Sequence, residues 1–213
     1  MTIFLAYLAF EALVSRLTKA PALSVADIKA FVAGKDDYPT SAPLFVTWNN
    51  NGDLRGCIGT FSALPLEEAI PKYALISAFD DERFTPISEK ELPHLSVSIT
   101  VLDNFMPIID PIDWKIGEHG LKVLFLTESG HYLGTFLPLV AEEQKWDHID
   151  TLWNLIRKAG HRAPTREQTV EFYVGLIERR AMKLVRYDGL KVGASYAEYA
   201  SFRNDYDKSR LSG

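Results

Sequence analysis

Apolar residues fill nearly every position from Ile3 to Val14, interrupted by Glu11 and followed by Arg16, and the run stops before Ala20-Pro21. It is too short to cross a bilayer and has neither a basic leader nor a small-residue cleavage site, so it reads as a buried amphipathic helix rather than a signal peptide. Ser24, with Asp27 three residues on, caps a second helix whose apolar positions Val25, Ile28, Phe31 and Val32 recur at helical spacing until Gly34. The period then changes. Leu44 to Trp48, the turn Asn50-Asn51-Gly52-Asp53 and the hexapeptide Leu54-Arg55-Gly56-Cys57-Ile58-Gly59 predict a β-hairpin. Further on, Leu95, Val97, Ile99 and Val101 alternate with Ser96, Ser98 and Thr100, the pattern of a strand with one buried face.

The spacing predicts a helix over 65–79, which Pro71 should kink or restart, a structured loop over 80–86, a short helical turn over 88–92 and a Pro-rich connection over 104–114. Strands over 121–126 and 131–136 flank the turn Glu128-Ser129-Gly130, and a short helix runs from Leu139 to Gln144. Asp147 caps a helix that ends at Gly160. Pro164-Thr165 with Gln168 opens another to about Arg180, ahead of a strand over 182–187. The polar residues 204–213 read as a disordered tail.

A chain of 213 residues with 47% hydrophobic content suits one large domain or two small lobes sharing a core. Its single cysteine excludes an internal disulfide and a cysteine-based zinc site, which fits a reducing compartment. A formal net charge of −5 argues against a general nucleic-acid surface. The sign is uneven: 12 Lys/Arg face 7 Asp/Glu from Arg157 onward, a basic patch for an acidic partner or simply a solvated surface. Asp36-Asp37 offers a cation site or a solvated loop.

The hexapeptide, read with Phe61, with Asp81-Glu82-Arg83-Phe84-Thr85-Pro86 and with Leu137-Pro138 ahead of Glu143-Gln144-Lys145-Trp146-Asp147, resembles the AMMECR domain family, its eukaryotic branch in particular. The likeness extends from the first helix to Tyr196-Ala197-Glu198-Tyr199, with extra residues before the strand at 182 and no role carried over to 166–180. The resemblance implies an α+β domain spanning 1–203, with an antiparallel sheet flanked by helices and two unequal lobes, the smaller at roughly 60–105. In many prokaryotes members of that family are encoded beside, or fused to, Memo-type and radical-SAM proteins, so the resemblance implies a modification pathway with such partners. The expected location is cytoplasm and nucleus.

The chemistry centres on Cys57. Strand alternation places Arg55 on the same side, where a guanidinium would stabilise a thiolate nucleophile; the alternative is an inert thiol packed beside glycine. Asp81 and Arg83, retained from the family motif, either line a pocket opposite Cys57, with Arg83 gripping an anion bidentately, or form an ion pair that braces their loop. Gly56 and Gly59 offer backbone N–H groups to the same anion. Among the five histidines His119 is the candidate partner, by its setting between Gly117 and Gly120 and by its match to the family pattern. Neither metal-ligand spacing nor a phosphate loop is present, so no metal or cofactor is expected. Two readings stay open: a catalytic or small-ligand cleft at 54–59 and 81–86, and a non-catalytic scaffold binding a protein partner in the same groove.

Overall fold

The computed structural model describes residues 1–32 and 38–211. In chain order its elements are α1 (Phe4–Thr18), α2 (Val25–Phe31), β1 (Ser41–Asn50), β2 (Asp53–Pro65), α3 (Leu66–Phe79), a 3-10 turn (Glu89–His94), β3 (Leu95–Ile108), β4 (His119–Thr127), β5 (Gly130–Phe136), α4 (Leu139–Glu143), α5 (His148–Lys158), α6 (Thr169–Glu178), β6 (Met182–Ser195) and α7 (Tyr196–Leu211). The strands hydrogen-bond in the order β2-β1-β3-β6-β4-β5, so the fold is α+β as the resemblance implied. Residues Gly34, Asp36 and Asp37, to which the end of the second helix and a cation site were assigned, lie outside the described residues.

Chain contacts divide the molecule into two units, Met1–Val101 with Leu190–Gly213, and Leu102–Gly189. The boundary falls inside β3 and β6, and no Pro- or Gly-rich linker marks it.

In the first unit the inner side chains of the hairpin and of β3 (Leu44, Val46, Trp48, Val97, Ile99, Val101) pack with α1 and α3 into one apolar core. Trp48 Nε1 donates to the Ala74 carbonyl at 2.9 Å, tying β1 to α3. Pro71 sits inside an unbroken α3. α1 carries Glu11 into this core, where its carboxylate accepts from the Tyr199 hydroxyl (2.7 Å), the Leu23 N–H (2.8 Å) and Arg203. A buried charge is tolerated only with such partners. Tyr199, Phe202 and Tyr206 are buried along one side of α7, which explains why 204–211 continue as helix where a disordered tail was expected.

In the second unit β4 pairs antiparallel with β5 and β6, and their inner residues Leu121, Val123, Phe125 and Leu184 pack against Leu152, Leu155 and Ile156 of α5 and Tyr173 and Leu176 of α6. Asp147 caps α5 as predicted, its Oδ1 accepting the Asp150 N–H at 2.6 Å. β3 continues through Ile108, where a Pro-rich connection was expected. Gln168 closes back on the Thr165 N–H at 3.1 Å, but α6 itself starts only at Thr169.

Candidate functional site

The hairpin turn is the one its sequence predicts: Asn51 (φ 51°) and Gly52 (φ 93°) both occupy the left-handed region, and Asn50 pairs with Asp53. Beyond it the register slips. Trp48 opposes Gly56 and Asn49 opposes Leu54, so Arg55 is the extra residue of a β-bulge, which re-aims a side chain. The Arg55 guanidinium goes to the loop and turn that follow α3: Nε donates to Glu91 Oε1 (2.7 Å), Nη1 to the Thr85 carbonyl (2.6 Å) and Nη2 to the Pro86 carbonyl (3.3 Å). Burial pushes the Glu91 carboxyl up, but hydrogen bonds from Arg55 and from the N–H and hydroxyl of Ser88 outweigh it and hold the group at about 2. The expectation that simple alternation sets Arg55 beside the thiol does not allow for this bulge.

The guanidinium that reaches Cys57 belongs to Arg83. Asp81, with a side chain only 4% exposed, accepts the Cys57 N–H at 2.9 Å on Oδ2, and its two oxygens also take Arg83 Nε (2.9 Å) and Nη2 (2.7 Å). Arg83 Nη2 lies 3.4 Å from the Cys57 carbonyl oxygen. The charge-assisted bonds from Arg83 hold the Asp81 carboxyl well below the usual carboxylate range despite its burial. Asp81 and Arg83 therefore form the bracing ion pair, and the brace is anchored on the backbone of Cys57. Phe84 lies under the guanidinium, 5.3 Å from ring centroid to Cζ.

Cys57 itself is half-buried on the outward side of the first unit's strands, opposite Thr47, which in turn opposes Ser98. The Thr47 hydroxyl donates to Sγ at 3.1 Å. The neighbouring glycines are there for close packing. A Cβ on Gly56 would stand 2.0 Å from the Ser77 carbonyl oxygen of α3, and one on Gly59 would stand 2.3 Å from the Leu44 carbonyl and 2.4 Å from the Phe45 ring. The N–H following Gly56 is already committed to Asp81.

His119 belongs to the second unit. Its Nδ1 accepts the Lys115 N–H at 2.9 Å, which leaves the proton on Nε2, facing Asp188 at 3.4 Å. Hollows of about 560, 270, 290 and 370 Å³ open on this second unit, and none of these four is lined by Arg55, Cys57, Asp81 or Arg83. Among the described residues no group of three His, Cys, Asp or Glu side chains converges as a metal site, and no helix is long and apolar enough to cross a membrane. Sequence reasoning missed two partners, Thr47 and Glu91. The second was visible as the capping box Ser88-x-x-Glu91, whose acid serves both Ser88 and Arg55.

Comparison with known proteins is consistent with this architecture. The chain is 42% identical over 166 residues to an uncharacterized protein of Schizosaccharomyces pombe, covering 76% of this chain and 80% of that one. It is 36% identical to an uncharacterized protein of Saccharomyces cerevisiae, covering 91% and 86%. An uncharacterized protein of Arabidopsis thaliana shares 37% identity over 75% of this chain and 74% of its own length. The crystal structure of an uncharacterized protein from Pyrococcus horikoshii superposes with a TM-score of 0.63, at 28% identity and 89% coverage of each chain. The AMMECR1 family model matches residues 6–175, and the chain belongs to that family.

Proposed function

We propose that the first unit is a recognition surface for an acidic segment of a partner protein, with Arg83 as its contact residue. The observation that carries this reading is the fixed presentation of Arg83. Its Nε and Nη2 are tied to a buried carboxylate, its side chain is 57% exposed, and among the described residues no acceptor meets Nη1. A guanidinium whose rotamer is already fixed loses little entropy on gripping a carboxylate or phosphate. Half-exposed Phe84 beneath it adds apolar area to the contact.

The catalytic reading has less support. A cysteine nucleophile needs an activating base, and among the described residues the group at hydrogen-bond distance from Sγ is the Thr47 hydroxyl. The cation expected to assist, Arg55, is taken up by Glu91.

An array of acidic and phosphorylated peptides tests the proposal. Peptides that bind the wild-type protein should bind Arg83→Ala at least about tenfold more weakly, a loss of about 1.4 kcal/mol. Arg83→Lys, which keeps the charge without the fork, should fall between, and Cys57→Ser should bind normally. Loss with Cys57→Ser and retention with Arg83→Ala would overturn the reading.

A further inference from the structure

The outward face of the second unit's strands is unusually apolar. Leu124, Leu126 and Leu133 are 46%, 43% and 59% exposed, and Leu124 and Leu133 stand directly opposite each other on β4 and β5. On the other flank Leu124 opposes Lys183 and Lys122 opposes Val185. Phe105, 42% exposed, stacks at 5.0 Å on Tyr187, which in turn covers Gly120, where a Cβ would meet its ring at 2.3 Å. A hollow of about 270 Å³ opens between these groups, lined by Phe105, Pro107, Lys122, Leu124, Lys183 and Val185. Large aliphatic side chains clustered in this way on a sheet face mark an interaction site rather than ordinary surface.

We infer that this face docks one amphipathic helix of a partner protein, with an apolar stripe bordered by acidic side chains. Dimensions and charge both point to that occupant. Three strands spaced about 4.8 Å apart span about 10 Å, the width of a single helix. The rows from Lys122 to Leu126 match about two turns of it. The apolar centre is bordered by Lys122 and Lys183, and among the described residues neither lysine has a carboxylate at ion-pair distance. A helix carrying Glu or Asp beside its apolar stripe supplies the missing counter-charges, and one carrying Lys or Arg there is repelled. This face shares no residue with the Arg83 site, so the two can be tested by different variants.

The probe is a synthetic helical peptide of about 18 residues with leucines at i, i+3, i+4 and i+7 and flanking glutamates, paired with a copy in which lysines replace the glutamates. Titrated into the full-length protein, the acidic peptide should shift the amide resonances of 122–126, 131–135 and 183–185 and bind at least tenfold tighter than the basic one. Lys122→Glu with Lys183→Glu should reverse that preference. Leu124→Ser with Leu133→Ser should abolish binding with the melting temperature retained, and Arg83→Ala should leave it unchanged. Equal binding of both peptides, or shifts mapping elsewhere, would overturn the inference. So would a dimer in light scattering that Leu124→Glu dissociates, or sedimentation with anionic vesicles in place of peptide binding.

Discussion

The backbone N–H of Cys57 donates to Oδ2 of Asp81 at 2.9 Å, so the only cysteine of the chain is bound through its amide to a carboxylate 24 residues further along. The same carboxylate holds Arg83. The hexapeptide thus serves as the anchor for a loop that carries an exposed guanidinium. Asp81→Ala removes the acceptor and leaves the part-buried Cys57 N–H and the Arg83 guanidinium without it, and should cost about 2 kcal/mol of stability, read from urea unfolding. Arg83→Ala should also destabilise, because it leaves the buried Asp81 carboxylate without its cation and with the backbone N–H groups of Cys57 and residue 83 as its remaining donors.

Acid should loosen the second clamp on the same loop. The Glu91 carboxyl falls from 4.5 to about 2 in the folded chain, so its ionised form contributes stability that is complete above 4.5 and is lost as pH falls toward 2. Glu91→Gln should be less stable than wild type at pH 7 by about 2 kcal/mol, and the two unfolding curves should converge near pH 2. A gap that stays constant down to pH 2 would rule out the Arg55–Glu91 pair as its source.

Two glycine substitutions should act in opposite directions. Gly56→Ala drives a methyl into the Ser77 carbonyl and should cost about 3 kcal/mol or prevent folding. Gly175→Ala lies inside α6, with its nearest neighbour, the end of the Arg179 side chain, at 3.7 Å, and should raise stability by about 0.5 to 1 kcal/mol. Thermal melting of both variants checks the contrast.

The hairpin was legible because its turn residues and its apolar run agree, and the Asp81–Arg83 ion pair was legible as one of two readings of the segment that the family motif retains. The partner of Arg55 was not. A bulge is a property of register, and the pairing of Trp48 with Gly56 shows itself only once the strands are laid side by side. The helical end of the chain was missed for another reason: Tyr199, Phe202 and Tyr206 carry its apolar side, but they stand among charged residues that mask the period. The division into units was hidden because β3 and β6 each run through both without a break.

Cys57 should behave as an ordinary half-exposed thiol. Iodoacetamide at neutral pH should alkylate it no faster than free cysteine, and Cys57→Ser should change stability by less than about 1 kcal/mol, since Thr47 can hydrogen-bond to either side chain. Faster alkylation would favour a nucleophile.

The most direct test of the account is calorimetric titration of an array-selected acidic peptide into wild type, Arg83→Ala and Cys57→Ser. Wild type and Cys57→Ser should bind with matching affinities, and Arg83→Ala should lose at least about tenfold. Equal affinity for wild type and Arg83→Ala, or loss confined to Cys57→Ser, would contradict it.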